Sequence, residues 1–392
     1  MSSATLTVGF IPLVDAAPLI VAHELGFAEE EGFSLALQAA PSWATLRDML
    51  AMGQIEAAHM LAPIPVAMAL GLSGPATRID ILQVLSVNGN AIGVSRDLAA
   101  KMRAQGYEFD FADAAAAGRA LIAVAPARLR IGVPFPFSMH AELLYHWLGA
   151  LGLSAPADLD IRTVPPQLMA EAMAEGEIDA FCVGAPWGSI AVETEVGELL
   201  LPGTAIRAFS PEKVLAVRHD WTEAEPDLTA RLMRATWRAG RWLSRPENRM
   251  SAAEILAQPG YLDMPAEIIE RSLTGSLVIS QRGEMRRAQC YLEFFEGAAT
   301  YPWASQAALI ATRLAARNGL DRKAAADAAR RLCRTDLYRA NLGPAGAVLP
   351  GAREKIEGAL AQPTEAASET GRLILAPDAF FDGWIFDPEA QE

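Results

Sequence analysis

Short β-rich runs and stretches with helical spacing alternate along the first half of the chain. Residues 6–11 read as a strand, followed by a helical stretch ending at Gly26, a second strand at 33–37, a helix at 43–52 ending at Gly53, and a third strand at 55–61. The same order returns further on. A strand at 129–133 leads into a helical stretch ending at Gly149, then come a strand at 161–164, a helix at 167–175 ending at Gly176, and a strand at 178–183. Glycine suits the position just past a helix, where a left-handed residue accepts the last turn. Strand–helix–strand–helix–strand predicts a parallel sheet covered by helices, so two copies predict two α/β lobes.

The copies are in one register. A shift of 123 residues aligns 6–69 with 129–192 without a gap. It sets His23-Glu24-Leu25-Gly26 against His146-Trp147-Leu148-Gly149, Gly53-Gln54-Ile55-Glu56-Ala57 against Gly176-Glu177-Ile178-Asp179-Ala180, and Ala62-Pro63 against Ala185-Pro186. Open α/β sheets bind ligands outside the carboxyl ends of their strands, so two facing lobes leave a ligand cleft. Residues 81–95 read as a strand crossing between lobes and 213–217 as the return crossing, and two crossings make a hinge. The expected organisation is the N-terminal part of lobe 1 at 1–92, lobe 2 at 93–212, and completion of lobe 1 with a helical C-terminal region at 213–392. Helical spacing recurs at 228–243, 251–258, 266–272 and 321–332. The Gly-, Pro- and Ala-rich segment 342–368 reads as a long surface segment.

Composition narrows the function. The chain has 392 residues, 33 Lys+Arg against 47 Asp+Glu, and a formal charge of −14, which argues against a nonspecific nucleic-acid footprint, since that needs a basic face. Three cysteines, Cys182, Cys290 and Cys333, form no disulfide or metal framework and suggest a reducing compartment. The apolar stretch 60–72 is too short to span a bilayer, and Pro63 and Pro65 are expected to break it as a helix. Met1-Ser2-Ser3-Ala4 runs straight into the first strand without a signal-like segment, so a cytoplasmic protein is expected. No nucleophile elbow, P-loop, dinucleotide fingerprint or metal-ligand spacing occurs, so an enzyme, a cofactor or a metal is not expected.

Several motifs carry a resemblance: Gly9-Phe10-Ile11-Pro12-Leu13-Val14-Asp15, Pro41-Ser42-Trp43, Ala57-Ala58-His59-Met60-Leu61, Asn88-Gly89-Asn90, Pro134-Phe135-Pro136-Phe137-Ser138-Met139-His140, Phe181-Cys182-Val183-Gly184-Ala185-Pro186-Trp187, Pro211-Glu212-Lys213-Val214-Leu215 and Phe380-Phe381-Asp382-Gly383. With these the chain resembles, nearly end to end, the nitrate-binding branch of the type II periplasmic-binding-protein fold. That branch holds the nitrate and bicarbonate receptors of ABC transporters and the cytoplasmic nitrate sensors (NasS-like). The resemblance implies two α/β lobes with a hinge and a ligand cleft, a helix-rich C-terminal elaboration, and anion contacts at Trp43, Asn90, His140, Gly184 and Lys213. It also implies a cytoplasmic nitrate or nitrite sensor controlling an ANTAR-domain RNA-binding antitermination regulator. The alternative is the substrate-binding subunit of a nitrate or bicarbonate ABC transporter. Asn90 stands where these receptors often carry Gln, and Ala185 where Glu is usual.

The chemistry agrees with the resemblance. Nitrate is a flat monoanion with acceptor oxygens only, so its pocket needs donors and a positive charge away from water. Lys213 supplies the charge, the Trp43 indole a donor and a flat wall, Asn90 and His140 further donors, and Gly184 a backbone N–H free of a Cβ. His59 reads as a core histidine, and His23 and His146 as packing residues. Glu29-Glu30-Glu31 reads as a solvated acidic face, and Arg234, Arg238 and Arg241 as one exposed helix stripe.

Overall fold

A computed structural model describes residues 4–153 and 158–390; the expectation drawn from the first residues falls on 1–3, outside the described residues. Lobe 1 is built on β1 (Ala4–Phe10), β2 (Phe33–Ala39), β3 (Ala57–Leu61) and β4 (Ile79–Asn88). The chain then supplies lobe 2 with β5 (Asn90–Ser95), β6 (Leu129–Val133), β7 (Leu159–Thr163), β8 (Ala180–Gly184) and β9 (Gly197–Pro202), and returns to lobe 1 through β10 (Pro211–Arg218). The short strand Leu292–Glu293 extends the lobe 1 sheet beyond β4, whose remaining order is β4-β10-β3-β1-β2; lobe 2 has the order β7-β6-β8-β5-β9.

The repeat is a repeat of register. In lobe 1, β1 runs parallel to β3 with Val8 opposite Ala57 and Gly9 opposite Ala58. In lobe 2, β6 runs parallel to β8 with Ile131 opposite Ala180 and Gly132 opposite Phe181, each pair displaced by the same 123 residues. Both sheets are covered on both faces, so every residue of β3, β4, β8 and β9 is buried, the polar Asp80, Gln83 and Ser86 of β4 included.

The first passage between lobes falls at Asn88–Asn90, ahead of the expected residue 92. Asn88 and Gly89 both adopt positive φ, 64° and 89°, so the strand turns sharply out of one sheet and into the next. Asn88 also fastens this passage to the other one. Its amide donates to the carbonyls of Ala208 (3.0 Å) and Cys290 (2.9 Å), and its Oδ1 accepts from Ser210 N–H at 2.9 Å.

Pro63 and Pro65 do not prevent a helix. They occupy the first turn of Pro63–Ala69, where the backbone N–H groups have no intrahelical partner to lose. The second half is helical as expected, with Pro226–Leu243, Arg249–Leu256, Ala266–Thr274 and Arg322–Arg330, to which the structure adds Ala304–Asn318. Glu30 and Glu31 are not a free acidic face, nor are Arg234 and Arg238 a free stripe: Arg234 Nε donates to Glu31 at 2.7 Å, and Arg238 pairs with Glu30. They fasten the long helix Pro226–Leu243 to the first helical layer.

The C-terminal half does not stay on lobe 1. Ile279 accepts from Leu199 N–H of β9, and Phe381 N–H donates to Ile206. His146 on the lobe 2 helix Met139–Ala150 lies between Asp382 of the C-terminal segment (3.1 Å) and Arg313 of Ala304–Asn318 (3.0 Å), while Arg317 pairs with the buried Glu142. Near the tail, the buried Arg207 pairs with Glu357 at 2.6 Å, and Ser305 Oγ donates to the other oxygen of that carboxylate. Among the described residues, no helix is long and apolar enough to cross a membrane.

Candidate functional site

The five residues implied by the resemblance converge between the lobes. Trp43 opens the helix Trp43–Ala51, whose cap Ser42 accepts from Thr45 N–H, and it stands at the carboxyl edge of the lobe 1 sheet. His140 lies in the first turn of Met139–Ala150, capped by Ser138, at the carboxyl edge of the lobe 2 sheet. Gly184 ends β8, Asn90 begins β5, and the two are direct neighbours across that ladder. Lys213 comes from β10. Trp43, Asn90, His140 and Lys213 are all buried.

Lys213 is the centre. Its Nζ donates to Asp15 Oδ2 at 2.6 Å and Glu212 Oε1 at 3.0 Å, and lies 5.5 Å from the centre of the Trp43 ring. Consecutive strand residues ordinarily point to opposite faces. Here the pairing of β10 with β4 shifts register on both sides of Lys213, and the irregularity turns Glu212 and Lys213 into one cluster. Glu212 Oε2 accepts from Asn90 Nδ2 at 2.8 Å, and its Oε1 is 3.4 Å from His140 Nδ1. His59, from β3, places Nε2 at 3.0 Å from Asp15 Oδ1.

Gly184 forms a shallow floor. A Cβ there would stand 3.1 Å from Leu13 Cδ2 and 3.7 Å from both Asn90 Oδ1 and His140 Nε2. Among the described residues, Trp43 Nε1, both ring nitrogens of His140 and Asn90 Oδ1 are buried without a hydrogen-bond partner. Buried polar atoms normally find partners, and these open ones are gathered where the two lobes meet.

Burial and charge act together on the titrating groups. Burial alone would raise the Asp15 carboxyl, but the Lys213 ammonium and the His59 ring outweigh it and hold it at about 2. Glu212 goes the other way: burial raises it, and Lys213 offsets this only in part. Burial lowers both histidines; Lys213 lowers His140 further, whereas Asp15 partly restores His59. Both rings are therefore neutral at neutral pH. Lys213 stays charged because its two carboxylates outweigh the cost of its burial.

Asp15, Glu212 and His59 were not expected as site residues. Asp15 and Glu212 lie within the quoted motifs, and Glu212 adjoins Lys213, but consecutive strand residues ordinarily point to opposite faces. His59 is buried as a core histidine would be, yet its ring faces Asp15 instead of an apolar shell.

The lobes close over the cluster through direct contacts. Val14 N–H donates to Ala185 O at 3.0 Å, and Trp187 Nε1 donates to Pro12 O at 2.9 Å. Ala185 N–H donates in turn to Gly89 O at the crossing, so the backbone of Ala185 bonds on both sides whatever its side chain.

A protein family described as the NMT1-like family matches residues 1–257. The chain is 29% identical to the nitrate/nitrite binding protein NrtA of Synechococcus elongatus, over 98% of this chain and 84% of that protein. It is 28% identical to the bicarbonate-binding protein CmpA of a Synechococcus species, over 71% of this chain and 63% of that one. The crystal structure of the periplasmic nitrate-binding protein NrtA from Synechocystis PCC 6803 superposes with a TM-score of 0.83 at 27% identity, covering 99% of this chain and 96% of the other. The architecture is thus the mixed α/β, two-lobe periplasmic-binding-protein-like fold.

Proposed function

The chain belongs to the NMT1-like family, and on that premise we propose that it is a substrate-binding receptor for a small planar oxoanion, nitrate first, serving an ABC importer. The observation that carries this reading is the buried Lys213, set between lobes among Trp43, His140, Asn90 and the Gly184 floor, with the Trp43 and His140 nitrogens open for hydrogen bonding. The Lys213 ammonium and Trp43 Nε1 supply donors to an acceptor-only monoanion, whereas the Asn90 amide donates to Glu212 and leaves its own acceptor oxygen open; a dry site strengthens each contact. The anion binds between open lobes, and closure through Val14–Ala185 and Trp187–Pro12 surrounds it. A binding role, with no chemical step, follows from this reading, and nothing in it requires a cofactor.

The relatives are named as nitrate/nitrite and bicarbonate binding proteins, and one is named periplasmic. They support the receptor over the cytoplasmic sensor expected from the sequence, and an extracytoplasmic location over a cytoplasmic one. The sensor reading, with an ANTAR-domain antitermination regulator released on anion binding, rests on the resemblance alone and ranks second. Calorimetric titration with nitrate, nitrite, bicarbonate and chloride tests the main reading. Nitrate is expected to bind and chloride not; folded protein that binds no oxoanion overturns it. Release of an ANTAR partner by nitrate in a pull-down would instead favour the sensor.

A further inference from the structure

The cluster around Lys213 contains more negative charge than an anion site should. Asp15 and Glu212 both contact the same ammonium, and no second lysine or arginine joins them among the described residues. With both carboxylates ionised the buried cluster already carries one net negative charge. A bound monoanion would make it two, in a place where uncompensated charge is expensive.

Every other group facing Glu212 is neutral or already counted. From its own strand comes Lys213, from the turn Val14–Ala16 Asp15 (itself against His59 of β3), from β5 the Asn90 amide, from the helix Met139–Ala150 His140, and from β8 the buried thiol of Cys182. His140 is the telling neighbour, because its two ring nitrogens face different things. Nδ1 lies 3.4 Å from Glu212 Oε1, while Nε2 borders the Gly184 floor, 3.7 Å from where a Cβ would stand.

A neutral imidazole donates from one nitrogen and accepts at the other. While Glu212 is ionised, the ring proton belongs on Nδ1, toward the carboxylate, and Nε2 presents a lone pair to the floor. That lone pair repels an anion. One added proton reverses the arrangement: with Glu212 protonated on Oε1 and donating to Nδ1, the ring carries its hydrogen on Nε2 and becomes a donor to the floor.

We propose that the site takes up its anion together with one proton from solvent, held by the Glu212–His140 pair. The proton forms a new bond at the pair and nothing else is made or broken. It cancels the added charge and turns His140 Nε2 into an anion-facing donor in the same event. The direction in which burial pushes Glu212, toward the protonated form, supports this. The inference rests on the anion-binding reading above and deepens it.

The test is calorimetry of the full chain with sodium nitrate in buffers of different ionisation enthalpy. The slope of observed heat against buffer enthalpy counts protons, and a slope near one is expected. Nitrate affinity should also weaken about tenfold per pH unit on the alkaline side. In Glu212→Gln, whose amide can donate permanently to Nδ1, the slope should fall to zero. Nitrate binding by wild type with zero slope and flat pH dependence overturns the proton coupling and leaves the receptor reading standing. A slope of one that persists in Glu212→Gln overturns the assignment to the pair. Folded wild type that binds no nitrate at any pH overturns the nitrate reading and this inference together.

Discussion

Lys213 and Asn90 occupy the same place in the two lobes. Lys213 sits opposite Leu61 where β10 pairs antiparallel with β3, and Asn90 sits opposite Gly184 where β5 pairs antiparallel with β8. Leu61 and Gly184 are related by the 123-residue repeat, and so are Asn90 and Lys213. The register of the repeat therefore runs beyond the aligned motifs into both crossing strands. One lobe contributes a cation and the other an amide, from equivalent positions, to one site.

Lys213 holds two carboxylates as well as the candidate anion position. Lys213→Met should abolish nitrate binding in calorimetry. It should also lower stability by about 3–5 kcal/mol at neutral pH, because Asp15 and Glu212 are left buried without their cation. In urea titrations the deficit should shrink on acidification, as the stranded carboxylates protonate. An unchanged midpoint would mean that the ion triad contributes nothing to folding.

Gly184→Ala separates binding from stability. The added methyl meets only the flexible end of Leu13 at close range, so stability should change by about 1 kcal/mol or less. It nevertheless enters the space bordered by Asn90 Oδ1 and His140 Nε2, and nitrate affinity should fall by at least tenfold. Thermal unfolding and titration on the same preparation check both halves, and full affinity would remove Gly184 from the site.

Trp187→Phe probes closure, since Phe keeps the packing but loses the N–H to Pro12 O. The hydrogen bond forms only when the lobes meet. Its loss, about 0.5–1.5 kcal/mol, should weaken nitrate binding roughly two- to tenfold, mainly through faster dissociation in stopped-flow measurements.

The histidines give stability a definite pH dependence. His59 and His140 titrate lower in the folded chain than the ordinary 6.5, so just below that pH the unfolded chain binds more protons. Their contribution is complete above 6.5 and is lost as pH falls. Asp15, held at about 2 against an ordinary 3.8, acts in the same direction at lower pH, whereas the raised Glu212 acts against it. His59→Gln should flatten the fall in urea midpoint between about pH 7 and about pH 5. An identical slope in wild type and variant would exclude His59 as its source.

The two lobes were legible because the parallel core of each sheet, β1-β2-β3 and β6-β7-β8, repeats at one gap-free offset; the antiparallel β10 and β5 that make both sheets mixed lie outside the aligned segments. Pro63 and Pro65 misled because a proline in a first turn looks, in sequence, like one that breaks a helix. The pairing of Glu30 and Glu31 with Arg234 and Arg238 spans about half the chain and leaves no local pattern. In the cluster, Lys213 and His140 were reachable through motif and chemistry. Glu212 was not, since only the register shift in β10 brings it to the side of Lys213. Asp15 and His59 had no spacing that would relate them before the sheet was assembled.

The amide of Asn88 has one more consequence. By bonding to Ala208, Cys290 and Ser210 at once, it rivets the outgoing and returning chains to each other at a single point. Plates joined by a rivet can swivel but not slide. In such a swivel the displacement of any atom grows with its distance from the axis, and Asn90, two residues from the rivet, travels least. Trp43 and Trp187, carried on helices beyond the sheet edges, travel further. A swivel about this point therefore parts His140, carried on the lobe 2 helix, from Lys213, Asp15 and Trp43 of lobe 1, while Asn90 beside the rivet stays near them.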